Sequence, residues 1–457
     1  MSGPVEGPPE SLRTTVQSGA VAARPLHIAW IGFAPAEESG GVPGIATDLL
    51  HGLAALGHRI DCFFPSAERE LPPRISGIEN LTFVWGTSRW QWNRWYSRTR
   101  LTAFLSSLAV RALASLRQRR VLMRRHREDP YDLCYQFSNV ENLSIPRRLR
   151  SSVPLVAHPG QSSADALRFL IRERRLSFQG RPAYAFAIAC AVLWSRRRVQ
   201  RRQIRRASLV ICISQIFREH LIRDYGLAER DSVVVPNPVR LERFENFVRT
   251  LGDPPTVIVL GRIATGKGIE DVVAVARLLH EGGIRARVRV VGGTSVWSDY
   301  TRVLDELPPE NSEYAGHVQS TQVPGELERS DVLLQASRYE AFALTVAEAL
   351  AAGVPVVATS EVGAMEQLSS EVATTTPPGD PQAMAAAVVA MLERLAADAA
   401  GLRAACRAEA ERLFAPEIVC SGVSAALARL VGPPRSTPPG AGARRGPEIH
   451  ELTGSPS

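Results

Sequence analysis

Short apolar runs, each followed by a loop and then a helical pattern, recur from residue 27 to residue 358, and this alternation restricts the chain to an α/β fold with parallel sheets. The first run, His27–Phe33, leads to a helical pattern from about Pro43 to Leu56, closed by Gly57-His58, and then to a second run at Arg59–Phe64. Parallel strands need a crossover, and a helix of this length supplies it. Runs at Leu133–Gln136, Pro154–Ala157, Ser208–Ile213 and Val233–Val235 extend the sheet as far as Pro236-Asn237-Pro238, which interrupts the rhythm. Val257–Leu260, Arg287–Val291, Val332–Gln335 and Pro355–Ala358 then alternate with helical patterns at about 270–281, 343–352 and 381–396. The expectation is two Rossmann-like, doubly wound lobes, residues 26–238 and 239–413, with a last helix within 414–432. Residues 1–25 and 433–457 are rich in Pro, Gly and Ser and read as disordered tails.

Of the 54 Lys and Arg residues, Lys267 alone is a lysine. A bias that turns lysine into arginine wherever the protein tolerates it would leave a lysine where a compact ammonium is needed and a planar guanidinium fails. Lys267 sits in the segment Thr256–Glu270, which reads as a buried strand, a glycine-bearing loop and a helix opening near Ile269. That arrangement collects anions. A solvated loop lysine is the alternative.

The formal charge of +8 is unevenly placed: no acid lies between Glu173 and Glu219, and seven arginines fall within 196–206. The patch favours an anionic partner. Arginine excess is general in this chain and acids balance it elsewhere, so nucleic acid is not the expected partner. Between Trp85 and Tyr131, Trp85, Trp90, Trp92, Trp95 and Tyr96 precede an arginine-studded helical pattern at Leu101–Arg125. This suits an anionic lipid surface, and equally a lid helix with a solvated arginine face. The six cysteines show no CxxC pair and read as reduced core residues. No signal peptide is visible, and the longest apolar stretch, Ala183–Trp194, is too short for a bilayer. The expected location is cytoplasmic, with any membrane contact peripheral and on the inner face.

The segment Ser337–Glu366 carries the chemistry. Glu340 and Glu348 flank a loop-to-helix junction. With the helix starting near Ala343, the amides of Phe342, Ala343, Leu344 and Thr345 lack intrahelical partners and can hold a phosphate. The two carboxylates then lie on either side, one for sugar hydroxyls and one for a ribose diol.

These residues resemble the retaining glycosyltransferases of the GT-B fold, family 4. The Glu-x7-Glu element matches Glu340 and Glu348, and the family's Gly-Arg-x4-Lys-Gly element matches Gly261, Arg262, Lys267 and Gly268. The resemblance implies that Arg262 and Lys267 bind the donor diphosphate, that Gly40-Gly41 lies beside its phosphates, and that His158 faces the donor sugar. Gly57-His58, Ser214 and Pro236-Asn237 also fall at family positions. It implies two lobes facing across a cleft, and a final helix that crosses back to the first lobe. Ala341 and Ala343 replace the two glycines of the family's Glu-Gly-Phe-Gly-Leu loop, which is tolerable if neither position needs positive φ. Pro238 and Arg240 also depart from the family turn, so no function is carried onto it.

The reaction this implies is transfer of a hexose from a nucleotide-diphosphate sugar to an acceptor hydroxyl, with the anomeric configuration retained. The chain contains no Asp-x-Asp, so neither a metal nor a cofactor is expected; Arg262, Lys267 and the helix start would neutralise the leaving diphosphate. A phosphorylase or sugar synthase of the same fold would share the donor residues, and a nucleotide-sugar-binding protein without turnover is the competing class. The acceptor, lipid-linked or soluble, is not written in the sequence, and the loops at Gly293–Trp297 and Gly316–Gln319 carry no signature for the base.

Overall fold

The computed structural model describes residues 24–36, 41–67, 70–88, 100–138, 145–177, 183–245, 247, 251–294 and 300–432. Most of the expected tails, Gly40, Trp90, Trp92, Trp95, Tyr96 and residues 295–297 lie outside the described residues.

Strand β1 (His27–Ile31) and helix α1 (Val42–Ala55) open the first half and lead to β2 (Arg59–Ser66) and β3 (Leu81–Ser88). Helix α2 (Arg100–Glu128), β4 (Leu133–Phe137), α3 (Arg147–Arg150) and β5 (Leu155–His158) follow. The half ends with α4 (Ser163–Arg172), α5 (Arg174–Ser177), α6 (Ala183–Ile204), β6 (Leu209–Cys212), α7 (Gln215–Tyr225) and β7 (Ser232–Val234). Its seven strands form a parallel sheet in the order β3-β2-β1-β4-β5-β6-β7.

The second half runs β8 (Thr256–Leu260), α8 (Ile269–Glu281), β9 (Arg287–Val291), α9 (Thr301–Leu304), β10 (Ser312–Gly316) and α10 (Val323–Glu328). Then come β11 (Val332–Gln335), α11 (Leu344–Ala351), β12 (Val356–Thr359), β13 (Ala373–Thr376) and α12 (Pro381–Ala397). These six strands form a second parallel sheet, β10-β9-β8-β11-β12-β13. Both sheets match the doubly wound expectation. The strand order reverses between β1 and β4 and between β8 and β11, and ligands of such sheets sit at the carboxyl ends of the strands there.

The central strands are legible because both of their faces are buried: Ile28, Ala29, Trp30 and Ile31 of β1 are at most 1% exposed. The edge strands of the second sheet are not. β10 reads Ser-Glu-Tyr-Ala-Gly and β13 Ala-Thr-Thr-Thr, and neither announces itself as an apolar run. Trp85 corrects the insertion reading: it belongs to edge strand β3 and packs on Phe64, ring centroids 5.1 Å apart.

Two last helices, α13 (Ala399–Phe414) and α14 (Pro416–Val431), close the chain. Val419, Cys420, Val423 and Leu427 of α14 join Leu49, Leu50 and Leu53 of α1 in the first lobe's core. The fit is tight, since a Cβ at Gly52 would lie 2.4 Å from Cys420 Sγ. His58 accepts from the Leu26 N–H on Nδ1 (3.1 Å), which leaves Nε2–H to donate to Ser424 Oγ at 2.8 Å. Among the described residues one stretch, Ala399–Val431, has the length and hydropathy to suit a bilayer. It is two 16-residue helices broken at Ala415, each about 24 Å long and so shorter than a bilayer core. All six cysteines are unpaired, and five of them are buried.

Candidate active site

At the end of β8 the chain passes through Gly261 and Arg262 into the loop that carries Lys267. Gly268 caps α8 at φ 63°, ψ 39°, and a Cβ there would lie 2.1 Å from the Ala336 carbonyl oxygen. Only glycine allows the loop to lie this close to the end of β11. The consequence is direct: Lys267 Nζ forms an ion pair with the Glu340 carboxylate. Burial, then the Arg262 guanidinium, push the Lys267 ammonium down to about 7, and the Glu340 carboxylate in contact opposes that shift. Arg262 is exposed and forms no hydrogen bond or ion pair with another described residue.

Glu340 donates its N–H to the Glu361 carbonyl at 2.9 Å, which fixes the segment leading into α11. Phe342 is buried, edge-on to Phe414, so its side chain anchors the loop while its backbone faces the junction. Ala343 then caps α11 at φ 72°, ψ 80°, in the left-handed region. Of the two alanines that replace family glycines, only Ala343 occupies a conformation for which glycine is suited; Ala341 does not have positive φ. Among the described residues nothing accepts from the N–H groups of Leu344 and Thr345, which the helix start leaves free for an anion.

Glu348, on α11, is buried with Oε1 3.8 Å from Arg243 Nη1. Burial pushes its carboxyl up to about 7, and Arg243 pulls in the other direction. Together with Gly41, Asp48, Arg240, Arg243 and Leu344 it lines an open cavity. Gly41 caps α1 at φ 76°, so the start of α1 in the first lobe and the Glu348 face of α11 in the second meet at one cavity. Arg240, which stands where the resemblance has an Asp, pairs with Asp48 at 3.1 Å.

His158 ends β5 and is 1% exposed. Its Nδ1 lies 2.7 Å from the Tyr135 hydroxyl, and Nε2 has no hydrogen-bond partner among the described residues. Burial pushes the imidazolium down to about 3, so the ring is neutral.

Several residues shape the site through distant partners, and of these the sequence singles out only Ser214, as a family position. Ser214 Oγ donates to the Ala341 carbonyl at 2.7 Å and accepts from the Phe217 N–H at 3.0 Å, capping α7 and holding the phosphate loop at once. A Cβ at Gly363 would lie 2.4 Å from the same Oγ. Glu366 accepts from the Gln215 and Ile216 N–H groups at 2.7 and 2.5 Å. Glycine after a strand is the one visible hint of Gly363; Ala341, which Ser214 holds, and the amides that Glu366 accepts from are more than a hundred residues away from them.

Two family models match the chain: Glycosyltransferase Family 4 over residues 39–243 and Glycosyl transferases group 1 over residues 242–412. Among curated relatives, mannosylfructose-phosphate synthase of Agrobacterium fabrum is 27% identical over 38% of this chain and 43% of its own length. Glycogen synthase of Mycobacterium tuberculosis is 26% identical over 44% of this chain and 50% of its own. The chain thus spans about half the length of these relatives. Sucrose-phosphate synthase of Thermosynechococcus elongatus shares the fold with a TM-score of 0.62 at 20% identity, over 89% of this chain and 99% of that one. Anabaena HepE, solved with UDP and glucose, superposes with a TM-score of 0.56 at 17% identity, over 88% of this chain and all of that one. With the two models meeting at residue 242 and the doubly wound lobes around the Lys267–Glu340 pair, the chain belongs to glycosyltransferase family 4 and has the GT-B fold.

Proposed function

We propose that this protein transfers a hexosyl group from a nucleotide-diphosphate sugar, with UDP the favoured carrier, to an acceptor hydroxyl, with retention and without a metal. One observation supports the reading: beyond the carboxyl ends of β8 and β11 Lys267 pairs with Glu340, Arg262 acts on the Lys267 charge, and α11, four residues after Glu340, opens with the free amides of Leu344 and Thr345. A diphosphate there exchanges places with Glu340 on Lys267, and the freed Glu340 carboxylate meets the sugar hydroxyls. As the anomeric carbon–oxygen bond breaks, charge grows on the departing phosphate, and fixed cations and amides stabilise it. The acceptor oxygen approaches the face the phosphate leaves, through an oxocarbenium-like state. Glu348 takes the ribose diol, and neutral His158 offers Nε2 to the sugar. The UDP preference is supported by the neighbour solved with UDP and glucose.

The test is thermal shift with UDP, GDP, ADP and TDP and their sugar conjugates, followed by product analysis. One stabilising nucleotide, an α-linked product from an α-linked donor, and activity undiminished in EDTA are expected. Binding with neither transfer nor hydrolysis would favour the non-catalytic reading. Loss of activity in EDTA, restored by Mg²⁺, would contradict metal independence.

The acceptor side has its own observation. Arg198, Arg201 and Arg202 of α6, with Arg205 just past its end, line one exposed surface, and Arg198 is stacked 3.6 Å over the exposed Trp194. This suits a peripheral contact with an anionic membrane on the cytoplasmic side and a lipid-linked acceptor. Flotation with anionic liposomes tests it; recovery in the soluble fraction at low salt counts against it.

A further inference from the structure

The loop bearing Lys267 and the segment bearing Glu340 are both held by side chains of the opposite lobe. Glu173, just past α4, is buried, and its Oε2 accepts from the Gly266 N–H at 2.8 Å and from the Tyr300 hydroxyl. The Gly266 carbonyl in turn accepts from the Arg338 N–H at 2.9 Å. Gly266 therefore ties Glu173 to the chain two residues before Glu340, and its own next neighbour is Lys267. A side chain at this position would be strained: φ is 78°, and a Cβ would stand 3.3 Å from the Phe169 ring. Tyr339, beside Glu340, stacks on His220 with ring centroids 4.2 Å apart and planes 9° apart, and on Phe169 at 6.2 Å and 10°. His220 is oriented by Asp165, whose Oδ2 lies 2.9 Å from Nδ1.

We propose that Glu173 is a positioning residue of the first lobe that sets Lys267 against the donor diphosphate, so that the donor site is complete only while the two lobes are in contact. Burying a carboxylate is costly unless it is well bonded, and here Oε2 is bonded to the loop that carries the lysine and to Tyr300 of the same lobe. A lysine side chain is flexible, so the reach of Nζ is decided by where the backbone of residues 266–267 stands. Small errors at that point are expensive, because catalysis by fixed charges depends on placement. The inference rests on the transferase reading for its consequence, and on geometry alone for the clamp.

The experiment uses the full chain and two readouts: hydrogen exchange without substrate, and kcat and KM with the nucleotide sugar. In Glu173→Ala, amides in peptides covering 262–268 and 337–341 exchange about tenfold faster or more. Its kcat falls by about tenfold to a hundredfold while the acceptor KM stays within about twofold. Glu173→Gln, whose amide oxygen accepts from the same donors, retains wild-type protection and most of the activity. Wild-type exchange and kcat in Glu173→Ala overturn the proposal, as does a Glu173→Gln protein as impaired as the alanine variant. If Glu173→Ala does not fold, Tyr300→Phe decides: faster exchange in 262–268 supports the clamp and unchanged exchange refutes it. Faster exchange in an unliganded protein that transfers no sugar keeps the clamp and discards the transferase reading.

Discussion

Lys267 Nζ lies against the carboxylate of Glu340, so the chain's single lysine is neutralised by the first carboxylate of its Glu-x7-Glu element. The unliganded site therefore keeps its principal cation masked. On the proposed function, a bound diphosphate would replace one carboxylate with a more highly charged group and release Glu340 toward the sugar. Lys267→Arg keeps the charge but substitutes a planar fork for a compact point, and it is expected to lower kcat/KM by about a hundredfold, with Lys267→Ala at least as damaging. Loss of the thermal shift given by the preferred nucleotide in both variants checks this; a normal shift in Lys267→Arg would show that position needs only a cation.

Glu348 makes stability depend on pH. Its folded-state pKa, pushed up to about 7 from an ordinary 4.5, means that the native state holds a proton the unfolded state has lost. Stability therefore falls as pH rises through that window, by up to about 3 kcal/mol, and levels off above it. Glu348→Gln should remove the slope. Denaturant unfolding at intervals from pH 4.5 to pH 8 measures it in both proteins.

His158, held neutral by burial, should contribute no limb to a pH–rate profile. His158→Ala is expected to lower kcat by about tenfold to a hundredfold without moving either limb. A limb that disappears with the histidine would mean that the ring titrates in the working range.

At Ala343 the left-handed backbone carries a methyl group that glycine would not. Ala343→Gly should stabilise the fold by about 1 kcal/mol, raising Tm by a few degrees. An unchanged or lower Tm would mean that the greater freedom of the unfolded glycine chain offsets the relief.

Helix α14 belongs to the core of the first lobe. Ending the chain at residue 414 removes the fully buried Val423 and Leu427 and the His58–Ser424 bond, and is expected to cost several kcal/mol, enough to leave the first lobe unfolded. Gly52→Val, which forces a side chain into Cys420, should act in the same direction by about 2 kcal/mol or more. Circular dichroism of each variant is the measurement, and a folded truncation would refute the packing role.

The alternation of apolar runs was enough to place the central strands of both sheets and the helices that follow them, because strands buried on both faces write their burial into consecutive residues. Lys267, Arg262, Glu340 and Glu348 could be nominated as candidates for a related reason: a loop after a strand end and the helix that follows it are local segments. Edge strands β10 and β13 were not legible, since one-sided burial leaves little apolar signal. Trp85 misled because an aromatic residue on an edge strand looks the same in sequence as one at a lipid surface.

What the sequence by itself determined was the two-lobe α/β architecture and the chemical character of the donor loops, both of which follow from short-range pattern. The tertiary structure alone decided that Lys267 meets Glu340, that Ser214 holds Ala341, that Glu173 reaches Gly266 and that Gly41 shares a cavity with Glu348. Those contacts join residues from 73 to more than 300 positions apart: Lys267 meets Glu340 because β8 and β11 pair within one sheet, and the other three form where the two lobes meet, neither of which a local window records.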